Sequence, residues 1–228
     1  MGSLFWWVIF PYVCLGVMFL GLLYRYAFRQ LTWTAPSTEF FEKRWLRIGS
    51  NMLHYGIIVA FIGHVMGIIV PVEFYEAIGV GSELYHAGAF VGGGITGIVV
   101  IMGIVILLIR KTRVDPIRVQ ASFADFFTLF ALLFVTASGT YLTIVYTLQH
   151  GAYQYGTTIG PWFRSLFVFQ PEYEMMAGIP LLFQLHALLG FALFAMIPFT
   201  HLVHFVTVPL RYLGRAPQQY RSRSEYKR

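Results

Sequence analysis

Ile48-Gly-Ser-Asn-Met-Leu-His54-Tyr-Gly-Ile-Ile-Val-Ala-Phe-Ile-Gly-His64-Val-Met-Gly-Ile-Ile-Val70 is a run without Lys, Arg, Asp or Glu, bounded by Arg47 and Pro71. It is long enough to cross the hydrocarbon core of a bilayer, which takes about 20 helical residues. Four other runs, about 4–23, 87–109, 123–148 and 181–208, share this character, and Asp125 is the one acid within them. Asp125 lies at a predicted helix end, where the membrane interface would solvate it. The whole chain of 228 residues is 57% hydrophobic and only 11% charged, with a mean hydropathy of +0.67. Such a composition is too apolar for an ordinary soluble domain. The prediction is an all-α integral membrane protein of five transmembrane helices. Residues 1–228 form a single membrane domain, and its last part, 209–228, is a basic tail.

Charge orients these spans. Arg25, Arg29, Lys43, Arg44 and Arg47 flank the first connection, and Arg110, Lys111, Arg113 and Arg118 flank the third. Arg211, Arg215, Arg221, Arg223, Lys227 and Arg228 occupy the tail, so Arg164 alone of the 16 basic residues falls in the second or fourth connection. Because cytoplasmic loops carry the excess of Lys and Arg, the amino terminus is expected outside the cytoplasm and the carboxyl terminus inside. The net charge of +6 is thereby explained by topology, and no nucleic-acid partner is expected. Trp6, Trp7, Trp33, Trp45 and Trp162 fall at or beyond span ends, as an aromatic belt requires. The first run lacks a basic leader and a small-residue cleavage site, so it reads as a retained span. A single Cys14 excludes a disulfide framework, a cysteine-ligated iron–sulfur cluster and a C-x-x-C-H haem attachment.

Histidines carry what chemistry the spans contain. His54 and His64 lie on the second, and His186, His201 and His204 on the fifth. Residues 48–70 are centred on Val59, midway between His54 and His64; residues 181–208 are centred within one residue of the midpoint of His186 and His204. Since the two spans run in opposite directions, His54 and His204 share the inner level, and His64 and His186 the outer level. Facing neutral imidazoles can ligate a haem iron axially without covalent attachment. On a continuous helix His186 and His204 are about five turns apart on one face, with His201 about 60° away and better suited to a propionate or interface contact. His54 and His64 are about 80° apart around their helix, and the two axial intervals differ, about 15 Å against about 27 Å, so tilt or crossing must absorb a mismatch. Spacing therefore leaves two readings open: a pair of haem sites, or histidines that join helices or relay protons in a haem-free transporter or anchor. Gly56, Gly63, Gly67 and Gly190 would make room for a flat macrocycle, although Gly63-x-x-x-Gly67 is equally a helix-packing pattern. Pro198 should bend the fifth span.

The stretches Ser50–His64, Phe183-Gln-Leu-His186, Pro198-Phe-Thr-His-Leu-Val-His204 and Val208-Pro-Leu-Arg-Tyr-Leu resemble the gamma subunit of respiratory nitrate reductase. Tyr75-Glu-Ala, Gly93-Gly-Ile-Thr-Gly97 and the approach from Arg118 to Asp125 extend the resemblance over nearly the whole chain. It implies a di-haem cytochrome b in a prokaryotic cytoplasmic (inner) membrane, with two b haems between the second and fifth helices. His54 with His204 would hold the inner haem, and His64 with His186 the outer one. The subunit would oxidise quinol, menaquinol or ubiquinol, near the outer face and pass electrons to an iron–sulfur subunit and a molybdenum catalytic subunit. Cytochrome b subunits of sulfur or heterodisulfide complexes are the neighbouring alternative. Some family members carry a lysine at the outer start of the third span, where this chain has Glu83-Leu-Tyr85-His86. His86 and Tyr85, with Gly63 and His64, are the candidate quinol contacts. The tail, where Tyr212, Tyr220 and Tyr226 stand among the basic residues, is expected to meet membrane lipid and to dock the iron–sulfur partner.

Overall fold

A computed structural model describes residues 2–29, 33 and 38–207; the basic tail lies outside the described residues. Five helices are long and apolar enough to cross a membrane: Gly2–Phe28, Arg44–Ile69, Ser82–Arg113, Phe123–His150 and Leu181–Phe199. There is no strand among the described residues. Most of these helices exceed the hydrophobic runs that predict them, because flanking charged residues continue the helix past the apolar core. The third, at 32 residues, is about 48 Å long against a hydrocarbon core of about 30 Å.

Close-packed neighbours run second to third, third to fourth, fourth to fifth and fifth to first. Glycines allow the tightest of these contacts. A Cβ on Gly103 of the third span would lie 2.8 Å from the Leu53 nitrogen and 2.9 Å from the Gly49 carbonyl of the second. Gly56 packs on Val100, so it serves helix packing and leaves no room for a macrocycle. By contrast, a Cβ on Gly63 or on Gly190 would meet nothing within 4 Å, and Gly63-x-x-x-Gly67 is not a helix-packing seam here. Among the described residues the second and fifth spans are not a close-packed pair, and their histidine rings reach across the space between them.

Two helices depart from regularity at prolines. Pro11 has no N–H to offer the Trp7 carbonyl, and the Trp162 indole N–H donates to it instead at 3.0 Å. The two rings also meet edge to face at 5.6 Å, within a cluster that includes Met176 and Phe191. Trp7 and Trp162 thus belong to the buried core and not to an exposed headgroup belt. In the fifth span the α-helix ends at Met196, Ile197–Phe199 is a 3₁₀ turn, Thr200 is extended, and His201–Thr207 forms a second 3₁₀ segment. A continuous helix over 181–208, and the count of five turns from His186 to His204, therefore do not describe this chain. Pro198, without a donor and restrictive of its neighbours, is the reason.

Candidate functional site: two histidine pairs between the spans

His54 faces His204, with ring centroids 5.7 Å apart and the two Nε2 atoms at 3.4 Å. His64 faces His186, with centroids 6.1 Å apart and rings within 30° of parallel. The mismatch expected from spacing is absorbed by the break at Pro198, which gives His204 a backbone direction independent of the helix that carries His186.

All four Nδ1 atoms are engaged. His54 Nδ1 meets the Ser50 carbonyl at 2.7 Å, His64 Nδ1 the Ala60 carbonyl at 2.7 Å, and His204 Nδ1 the His201 carbonyl. A carbonyl only accepts, so each of these nitrogens donates. His186 Nδ1 lies 2.9 Å from Ser138 Oγ, whose own hydrogen goes to the Val135 carbonyl at 2.8 Å; the hydroxyl therefore accepts from His186. In the neutral imidazoles Nε2 is left as a lone pair in every case. His54 Nε2 and His204 Nε2 approach each other across the space between the second and fifth spans, and a transition metal held between two such nitrogens would be ligated by both. The paired rings, the tethered Nδ1 donors, the open space at Gly63 and Gly190 and the gap between the second and fifth spans all fit a haem at each level.

His201 is directed elsewhere. Its Nε2 lies 3.0 Å from Asp125 Oδ1, which also meets Lys111 at 3.4 Å. Asp125 is also the third residue of a capping box with Ser122. It is thus partnered by protein, where its sequence position pointed to solvation by the interface.

At the amino-terminal end of the third span, Tyr85 and His86 line a pocket with Tyr75, Glu76 and Gln154. The Tyr85 hydroxyl donates to the Gly67 carbonyl at 3.3 Å, and His86 Nε2 meets Gln154 Oε1 at 3.0 Å. Burial holds the Tyr155 phenol, 6.1 Å from the Tyr85 ring, above its ordinary range, so it stays protonated. Gly63 and His64 are not in the pocket lining, although Gly67 is one helical turn from Gly63. Ser138, Gln154 and the Asp125–His201 contact escaped the sequence reading. Gly139, where a Cβ would lie 2.8 Å from His186 Cε1, was the available signal: Ser138-Gly139 marks where the fourth span yields to an imidazole.

Fold and site together define a multi-pass membrane protein with two facing histidine pairs between helices. The profile described as nitrate reductase gamma subunit matches residues 3–223, and the chain belongs to that family. It is 39% identical to the nitrate reductase gamma chain of Bacillus subtilis, over 96% of this chain and 97% of that one. Identity to the respiratory nitrate reductase 1 gamma chain of Escherichia coli is 32%, over 97% and 98% of the two chains. A nitrate reductase-like protein of Mycobacterium tuberculosis is 38% identical over 99% of this chain, which spans 34% of that longer protein.

Proposed function

We propose that this chain is the membrane-anchoring, quinol-oxidising cytochrome b subunit of a respiratory nitrate reductase in a prokaryotic inner membrane. The observation that carries the proposal is the pair of imidazole couples that face each other between the second and fifth spans, with all four Nδ1 atoms tied as donors so that Nε2 is the nitrogen able to ligate. His54 and His204 would hold an inner b haem, and His64 and His186 an outer one. When bound, these haems supply one-electron redox chemistry, at potentials tuned by ligation, hydrogen bonding and burial.

The chain's own residues bind, orient and move protons. The carbonyls of Ser50, Ala60 and His201 and the Ser138 hydroxyl fix the tautomers and turn each ring toward its partner. In the outer pocket, His86 Nε2 donates to Gln154 Oε1, which leaves Nδ1 free to accept a proton from a quinol hydroxyl. Tyr85 tethers this pocket to the second span three residues past His64. Electrons leaving the quinol would pass inward along the second and fifth spans to an iron–sulfur subunit and a molybdenum catalytic subunit on the cytoplasmic face. The distribution of basic residues supports that orientation, with the amino terminus outside. Basic residues and tyrosines of the tail favour docking of the iron–sulfur partner.

A quinol added to the purified, oxidised subunit should produce the reduced-minus-oxidised absorption bands of a b-type cytochrome. Absence of such bands with both quinol and dithionite would exclude haem, and bands with dithionite alone would exclude quinol oxidation.

A further inference from the structure

The break in the fifth span is held from outside by the first. Arg25, in the last turn of Gly2–Phe28, places Nη1 2.8 Å from the Pro198 carbonyl and 3.2 Å from the Thr200 carbonyl. The break takes both oxygens out of a continuous α-helical hydrogen-bond ladder, and the Thr200 carbonyl keeps only the long contact from the Val203 N–H, at 3.4 Å, from its own segment. One guanidinium nitrogen meets both. A turn earlier on the same helix face, a Cβ on Gly21 would stand 2.6 Å from Pro198 Cγ and 2.8 Å from Pro198 Cβ, so only glycine lets the first span approach closely enough. Thr200 completes the junction: its hydroxyl donates to the Met196 carbonyl at 3.0 Å and accepts from the Leu202 N–H at 3.3 Å. It ends one helix and starts the next. The 3₁₀ segment that follows buries Val203 completely and carries His204 opposite His54.

We infer that Arg25, with Gly21, is a positioning residue for the inner haem ligand His204. It acts by clamping the Pro198–Thr200 break and leaves the outer pair, which precedes the break, untouched. The inference rests on the haem ligation proposed above. Nothing in the spacing of the histidines requires an arginine on the first span, yet Arg25 is what ties the break itself to a neighbouring span, while the Thr200 hydroxyl and the His201–Asp125 contact hold the segment that follows. An arginine suits the task because its planar fork presents several donors in fixed directions, whereas a lysine offers a single flexible ammonium that can still reach two carbonyls.

The test uses full-length subunit purified in detergent, with haem content by pyridine haemochrome and the two low-spin haem signals resolved by electron paramagnetic resonance. In Arg25→Gln the inner signal should fall by about tenfold, the loss typical of removing a group that orients a metal ligand, while the outer signal keeps its amplitude and position. Arg25→Lys should restore much of the inner signal. Gly21→Leu, which keeps the arginine but wedges the first span off Pro198, should reproduce the Arg25→Gln spectrum. It also serves as the test if Arg25→Gln does not accumulate. Equal loss of both signals in the accumulating variants, or two unaltered signals in Arg25→Gln and Gly21→Leu, would overturn the inference. A wild-type subunit without haem would instead overturn the ligation on which it rests.

Discussion

The outer and inner histidine pairs solve one problem with different means. At the outer level both rings stand on α-helices, and His186 is steadied by a side chain from a third helix, the Ser138 hydroxyl. At the inner level both Nδ1 atoms lean on carbonyls of their own segments, and His204 rides on a 3₁₀ segment beyond a helix break. The outer site is built by packing across helices, the inner one by a redirected backbone clamped through Arg25. Changes to Ser138 should therefore be felt at the outer pair, and changes to the break at the inner one.

Removal of a ligand gives the largest effect. His186→Ala should abolish the outer haem and keep the inner, and His204→Ala should do the reverse, as read by haem content and the two resolved spin signals; loss of both from either variant would mean that the pairs are not independent. Ser138→Ala comes next. It leaves His186 Nδ1 without its acceptor, so outer haem affinity should fall by about tenfold and the outer midpoint potential should move, with the inner potential constant. A redox titration with two unchanged midpoints would assign Ser138 to packing alone.

His201→Ala should be milder still, because that ring points to Asp125 and not to His54. Both haems are retained and thermal stability drops slightly; a variant lacking the inner haem would transfer the ligand role from His204 to His201.

The smallest effect concerns the carboxyl-terminal end of the third span, where buried Arg110 donates to Glu42 Oε2 at 2.8 Å, to the Glu42 carbonyl and to Thr38. Burial acts to raise the Glu42 pKa, but N–H donors of Trp45 and Leu46 and the Arg110 charge outweigh it and hold the carboxyl below its usual range. A carboxyl depressed on folding contributes stability above its unfolded pKa of about 4.3 and loses it as pH falls through the lower folded value. Stability of the wild type should thus decline below about pH 4.3 more steeply than that of Glu42→Gln. Parallel pH profiles by thermal unfolding would remove Glu42 from that account.

The sequence disclosed the spans and the histidine levels because both follow from one-dimensional properties. Absence of charge marks hydrocarbon, and the midpoints of His54/His64 and His186/His204 coincide with the centres of the uncharged runs, even though the fifth spanning helix ends at Phe199, short of His204. It disclosed less where the contacts are non-local. Pro198 announced a bend, but its direction depends on Arg25 and Gly21, more than 170 residues away in the chain. Trp7 and Trp162 read as belt residues because nothing local says that Pro11 leaves a carbonyl for an indole to satisfy. Likewise, glycines at helical spacing look alike in sequence, and only their neighbours separate Gly56, packed on Val100, from Gly63, where a Cβ would meet nothing within 4 Å.

Haem stoichiometry tests the central claim most directly. A pyridine haemochrome assay on the purified, fully folded wild-type chain, referred to protein by amino-acid analysis, should give two non-covalent b haems per chain, both extractable by acidic acetone. One haem per chain would dissolve one of the two histidine pairs as a ligand set, and none would return all four histidines to contacts between helices.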